Sequence, residues 1–292
     1  MMIGQPRDDL YLNGEFMPLA SGQISVQDRG FQFADGVYEV VRFKGSRFLW
    51  LDEHLARLER GLTALAIPGV GSRDRFTRVL PELVRRSGSG EGSIYLQVTR
   101  GPAPRDFSMP ISAVPTELAY VAPQTFFTWD QVLAGTTACL MEDIRWTRCD
   151  IKAICLTAAV LGKAVAAERG ASEVIWVGPD RLVREGGSCN LFVVRGREVW
   201  THPADRHILA GVTRLRVLEI ARELGVVVRE EPMTAEELLV ADEVFLSSTL
   251  RDLLPILRVD GRPIGRGRAG PVSLRLAERM RAAVDRELSA DG

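Results

Sequence analysis

Short β-patterned runs that close on turn residues, interleaved with amphipathic helical stretches, restrict this chain to a mixed α+β fold. Tyr11-Leu12-Asn13-Gly14-Glu15-Phe16 is a hairpin signal, because Asn-Gly supplies the positive φ angles of a tight turn. Residues 37–43 alternate and are β-rich, Lys44-Gly45-Ser46 turns, and residues 47–51 return as a strand. The period then changes. Leu55, Leu58, Leu62 and Leu65 recur at helical spacing behind Asp52, which predicts an Asp52-capped helix through Ala66. Residues 74–86 predict a second amphipathic helix, with a kink expected at Pro81. Ser87-Gly88-Ser89-Gly90 breaks it, residues 93–100 read as a strand, and a loop begins at Gly101-Pro102-Ala103-Pro104-Arg105.

Residues from about Tyr120 to Gly135 look like a crossing between domains. The expected division is therefore a small N-terminal domain over 1–125, a linker over 126–134 and a larger domain over 135–292. In that larger part, residues 137–142 are strand-like. Residues 151–169 read as an Ala- and Leu-rich helix closed by Gly170. Strands are expected at 172–177, 190–194, 199–201, 226–230 and 243–247. Thr213 is expected to cap a helix ending near Leu224, Thr234-Ala235-Glu236-Glu237 is a capping box, and residues 272–288 form a terminal helix. Gly265-Arg266-Gly267-Arg268-Ala269-Gly270 has dinucleotide-motif spacing. It follows a hairpin instead of opening a βαβ unit, so it reads as a basic loop.

The net charge of −1 gives no reason to expect nucleic acid or a membrane surface as partner. No apolar run approaches the roughly 20 residues that span a bilayer, and the first residues lack a signal-peptide core. Cys139, Cys149, Cys155 and Cys189 form no C-x-x-C, so free thiols in a cytoplasmic protein are expected. His54, His202 and His207 are too few and scattered to argue for a metal, and His202 and His207 read as solvated loop residues.

Of 37 basic residues only Lys44, Lys152 and Lys163 are lysine, leaving 37 − 3 = 34 arginines. An amine can lose its proton and attack a carbonyl, whereas a guanidinium cannot. Lys44 reads as an exposed turn charge and Lys163 as a helix surface charge. Lys152 sits in Arg148-Cys149-Asp150-Ile151-Lys152-Ala153-Ile154, beside apolar residues whose desolvation would lower an amine pKa from about 10.4. A Schiff-base lysine suits pyridoxal 5′-phosphate, which needs donors for its phosphate, a carboxylate for its ring nitrogen and a separate substrate anchor. Leu209-Ala210-Gly211-Val212-Thr213 before a helix, Ser247-Ser248-Thr249 at a strand end and Glu185 beside Gly186-Gly187 are candidates for the first two needs. Taken singly, each reads equally as a cap, a turn or a solvated glutamate.

The chain resembles the fold-type IV, class-IV aminotransferases, and within them the D-amino acid transaminases. The likeness runs from about Tyr11 to Gly261. It rests on Asp28-Arg29-Gly30-Phe31-Gln32-Phe33-Ala34-Asp35-Gly36-Val37-Tyr38-Glu39-Val40-Val41, Val98-Thr99-Arg100-Gly101, Asp143-Ile144-Arg145-Trp146-Thr147-Arg148-Cys149-Asp150-Ile151-Lys152, Glu185-Gly186-Gly187-Ser188-Cys189-Asn190, Thr201-His202-Pro203 and Gly211-Val212-Thr213-Arg214. The resemblance implies a homodimer of two-domain α+β subunits, with its active site between the domains. It implies that Lys152 carries the cofactor and shuttles the substrate proton, and that Glu185 pairs with the pyridine nitrogen. Arg57, Val212, Thr213, Ser248 and Thr249 would hold the phosphate. Tyr38, Val40, Arg105 and Phe107 would face the substrate, with Arg105 reaching in from the second subunit.

The implied reaction moves an amino group from a D-amino acid to 2-oxoglutarate or pyruvate by a ping-pong route, with (R)-amines as secondary donors. Two departures stand out. Phe107 replaces a His of the familiar carboxylate trap, and Gly187 replaces a Ser. The alternatives are a branched-chain L-amino acid transaminase, a lyase similar to aminodeoxychorismate lyase and a non-enzymatic scaffold.

Overall fold

The computed structural model describes residues 8–68, 71–110, 112–122, 124 and 126–289. The signal-peptide reading of the first seven residues lies outside them. The chain divides into two compact units, one of residues 1–125, 151–155 and 286–292, the other of residues 126–150 and 156–285.

The first unit contains β1 (Leu10–Leu12), β2 (Glu15–Met17), α1 (Arg29–Phe33), β3 (Gly36–Lys44), β4 (Arg47–Phe48), α2 (Leu51–Ala64), α3 (Ser72–Ser87), β5 (Glu91–Thr99) and β6 (Thr116–Ala122). Its strands form an antiparallel sheet in the order β2-β1-β6-β5-β3-β4. The period-two pattern of β3 sends Val37, Val41 and Phe43 into a core with Leu55, Leu58 and Leu62 of α2 and Phe76, Leu80 and Leu83 of α3. Each such side chain contributes about 1.5–3 kcal/mol on burial. Tyr38 and Val40 point to the opposite face, where Tyr38, Tyr95 and Tyr120 stack at centroid spacings of 5.6 and 5.2 Å.

Several local expectations change here. Asp52 is not the N-cap of α2. That place is taken by Trp50 in a left-handed conformation, while Asp52 and Glu53 sit in the first turn, where the helix dipole favours acids. α3 continues through Pro81. β6 occupies what reads as loop and crossing, because its buried Glu117 looks like a loop residue until Ser72 and Arg75 hydrogen-bond to it.

The second unit contains α4 (Trp129–Ala134), β7 (Thr136–Glu142), α5 (Thr157–Glu168), β8 (Glu173–Val177), β9 (Val183–Gly186), β10 (Asn190–Arg195) and β11 (Glu198–Thr201). It continues with α6 (Val212–Glu223), β12 (Val227–Glu230), α7 (Ala235–Leu239), β13 (Glu243–Ser248), β14 (Asp252–Val259), β15 (Arg262–Pro263) and most of α8 (Pro271–Leu288). Its mixed sheet runs β12-β11-β10-β13-β14-β7-β8-β9, with β15 on β14. Pro255 inside β14 hides that strand from a sequence reading, since proline cannot donate to a ladder. The capping box at Thr234 and Glu237 forms as its spacing predicts. No helix among the described residues is long and apolar enough to cross a membrane.

Residues 151–156 are not helical; α5 begins only at Thr157. Ile151 and Ala153 instead pack into the first unit's core. Tyr38 N–H donates to the Lys152 carbonyl at 3.0 Å, and Ile154 N–H donates to the Gly36 carbonyl at 3.1 Å. Position along the chain groups Lys152 with the C-terminal residues, but these backbone bonds tie it to β3.

Candidate active site

In the first unit the candidate residues gather around β3. The Lys152 Nζ lies 4.3 Å from the centroid of the Tyr38 ring, and Val40 follows Tyr38 on the same face of the strand. Between them, Glu39 points into the apolar core and is fully buried. A lone buried carboxylate would be costly, and α2 supplies the compensation. Arg57 Nε donates to Glu39 Oε1 at 2.7 Å, Arg57 Nη2 to Oε2 at 2.8 Å, and His54 Nδ1 to Oε2 at 2.7 Å. Arg57, which looks like an exposed helix residue in sequence, is 7% exposed. Its bidentate pairing with Glu39 is what selects arginine there.

Burial alone would raise the Glu39 pKa, but Arg57 and His54 reverse this and hold it well below the usual carboxylate range. For His54 burial is the largest influence and lowers its pKa, against the opposing pull of Glu39. Its Nε2 has no hydrogen-bond partner. Both depressed values carry the same sign. As pH falls through about 6.5, the unfolded chain binds a proton at His54 that the folded chain refuses. Below about 4.3 the same becomes true of Glu39. Stability should therefore fall with acidification in two stages. Denaturant titrations from pH 8 to 4 should show the upper stage disappear in His54→Gln; an unchanged profile would contradict this account.

In the second unit Glu185 is buried at the end of β9. Arg145 Nη1 donates to its Oε1 at 2.5 Å, Asn190 Nδ2 to its Oε2 at 2.9 Å, and Leu209 N–H to both oxygens at 3.2 and 3.1 Å. Burial would lower the Arg145 pKa, but Asp143 and Glu185 more than offset it and raise it. Glu185 is thus a buried carboxylate in an inflexible setting, not a solvated side chain.

Leu209 leads to the N-terminus of α6. Thr213 is not its cap. Gly211 holds that position, and no side chain caps it. A Cβ on Gly211 would collide with Asn190 Oδ1, so the close approach of Asn190 requires glycine. Thr213 lies in the first turn with its Oγ1 buried and without a partner. An uncapped helix start with an unpartnered hydroxyl is the donor set a phosphate uses. The β10–β13 register pairs Asn190 with Ser247, which brings Ser248 and Thr249 to the same end of the sheet.

Gly187 also has a local cause: a Cβ there would lie 2.9 Å from Glu173 Oε1. Glu173 is fully buried and accepts from Arg251 Nη1 at 2.7 Å and from Lys163 Nζ at 3.4 Å. Lys163 is therefore tied down, also donating to the Ser172 carbonyl at 2.6 Å, and is not a free surface charge. Lys44 ends β3 and is exposed.

Arg105 and Phe107 lie on the 101–110 loop and are exposed, Phe107 at 84%. His202 is buried, not solvated. Its Nε2 lies 2.7 Å from Arg184 Nη1 and must accept, since a guanidinium only donates. The hydrogen is then on Nδ1, facing the Pro203 carbonyl at 2.9 Å. Although His202, Asp205 and His207 have metal-like spacing, that tautomer leaves His202 no lone pair to give.

Residues 36–259 match the amino-transferase class IV family, and the chain belongs to that family. A D-alanine aminotransferase from Bacillus licheniformis is 39% identical over 261 residues, 89% of this chain and 92% of the relative. The branched-chain amino acid aminotransferase of Escherichia coli shares the fold, with a TM-score of 0.89 over 98% of this chain and 97% of that one, at 24% identity. The T.th. branched-chain amino acid aminotransferase, solved with pyridoxamine 5′-phosphate, gives a TM-score of 0.83 at 26% identity, covering 96% of this chain and 95% of that one.

Glu39, His54, Arg145 and Asn190 contact the candidate residues Arg57 and Glu185 or one another, and the sequence alone does not single them out. Glu39, Arg145 and Asn190 stand inside the quoted motifs. His54 carries no signal of its own, since it looks like any helix-borne polar residue.

Proposed function

We propose that this chain is a D-amino acid transaminase that uses pyridoxal 5′-phosphate and returns the amino group to a 2-oxo acid such as 2-oxoglutarate or pyruvate. The observation that carries this reading is the buried Glu185 carboxylate, fixed by hydrogen bonds from Arg145, Asn190 and Leu209 N–H. A fixed carboxylate of this kind keeps a proton on a pyridine nitrogen. The D-alanine aminotransferase similarity supports the donor class.

The donors of this chain fit the cofactor. Thr213 Oγ1, the first N–H groups of α6, Val212, Ser248, Thr249 and Arg57 would hold its phosphate. When bound, the cofactor supplies an aldehyde that condenses with amines and a ring that accepts the electron pair freed at the substrate Cα. Lys152 supplies the resident amine. Its Nζ would take the substrate Cα proton and return a proton later. Tyr38, whose ring lies under Nζ, keeps that amine against an aromatic face, and Val40 lines the same side. Arg105 pairs with the substrate carboxylate, reaching it from the second copy in a homodimer, and Phe107 flanks it. The four cysteines, all free, fit a cytoplasmic location.

The test is a half-reaction screen of D-alanine, D-glutamate, L-leucine and (R)-1-phenylethylamine, followed by loss of the bound cofactor's absorbance near the visible. A D-amino acid should react fastest and (R)-1-phenylethylamine more slowly. Faster reaction with L-leucine would replace this reading with the branched-chain one. Repeated turnover without any 2-oxo acid acceptor, beyond one equivalent per active site, would replace it with a lyase.

A further inference from the structure

Two guanidinium groups converge on one aromatic ring beside the 101–110 loop. Arg105 Cζ lies 4.9 Å and Arg29 Cζ 4.8 Å from the centroid of Phe33, the last residue of α1. Phe107 packs against the same ring, centroids 5.5 Å apart at an interplanar angle of 47°. Arg29 is anchored: its Nε donates to Asp35 Oδ2 at 2.9 Å and its Nη1 to the Asp106 carbonyl at 2.6 Å. Further backbone bonds run from Arg29 N–H to the Gly101 carbonyl and from Ala103 N–H to the Gln27 carbonyl, each 3.1 Å. Ring and loop are thus fixed to one short segment. Arg105 is different. It is exposed, and among the described residues no ion pair involves it.

We propose that Phe33 is the positioning residue for Arg105. Its ring holds the guanidinium by cation–π attraction while the in-plane N–H donors stay available to a substrate carboxylate. Phe107 stands where the familiar pattern has His and buttresses the same ring. The support of the carboxylate anchor in this chain is therefore aromatic, not hydrogen-bonded. The inference rests on the proposed role of Arg105 as carboxylate anchor.

The experiment is a double-mutant cycle read as KM and kcat for D-alanine with the holoenzyme. Phe33→Leu should raise KM roughly two- to fivefold, the range of an exposed cation–π contact, with kcat nearly unchanged. In the Arg105→Ala background the same change should have no further effect. Phe33→Tyr, which keeps the ring face, should retain the parent KM. Pentafluorophenylalanine at position 33, with reversed quadrupole and similar shape, should raise KM as Leu does, and it decides the matter should the Leu variant not fold. Equal KM effects of Phe33→Leu in both backgrounds, or an unchanged KM with the fluorinated ring, overturn the role of Phe33 and leave that of Arg105 standing. An unchanged KM in Arg105→Ala alone overturns the underlying reading, and this inference with it.

Discussion

Replacing Lys152 with alanine should lower kcat by roughly 10²–10⁴-fold, the usual worth of a positioned proton-transfer group, and abolish covalent trapping of the cofactor by borohydride. Lys152→Arg should be equally inactive. A guanidinium keeps the positive charge beside Tyr38 but neither condenses with an aldehyde nor accepts a proton at neutral pH. The pair of variants separates chemistry from charge. Stability should change little in either, because the Lys152 contacts that hold the chain are made by its backbone carbonyl and by its neighbours Ile151 and Ala153. Mass spectrometry after reduction is the check. A reduced cofactor adduct in Lys152→Ala would mean another amine carries the group. Lys163 would then be the first to examine, although its amine is already committed to Ser172 and Glu173.

The second large effect is expected at Glu39. In the cofactor-free chain, Glu39→Gln keeps the volume but leaves Arg57 buried without its counter-charge, and breaking a buried pair on one side costs about 3–5 kcal/mol. In a chain of this size that corresponds to a fall in Tm of roughly 6–20 °C. The double replacement Glu39→Gln with Arg57→Met should recover part of the loss, because no uncompensated charge remains. Thermal melts of the single and double variants test this. A Tm within 2 °C of the parent, a margin of roughly 1 kcal/mol or less, for Glu39→Gln would show that the triad contributes little. The fully buried positions of Glu39 and His54 make such an outcome hard to reconcile with their surroundings.

Most elements were legible locally. The Asn13-Gly14 turn, the alternation of β3, the leucine spacing of α2 and the capping box at Thr234 each follow from a few neighbouring residues. The misreadings share one cause. Glu117 in β6 looks foreign to its strand, and Arg57 in α2 looks like an ordinary exposed residue, until distant groups answer them. For Glu117 that group is 42 or 45 residues away, and for Arg57 it is 18.

The candidate site divides the same way. The family resemblance carried by the order of short motifs singled out Lys152, Glu185 and the 211–214 helix start; taken singly, Glu185 and the helix start read as a solvated glutamate and a cap. Nothing local shows that Arg57 is buried against Glu39, that Glu185 is an anchored carboxylate or that Arg105 rests on Phe33. Buried charge and aromatic support depend on what lies opposite in space, and only the tertiary structure brings those partners within 2.5–5 Å. Local sequence set the periods, turns and chemistry available. Packing decided which polar groups lose water, and therefore which of them needed a partner.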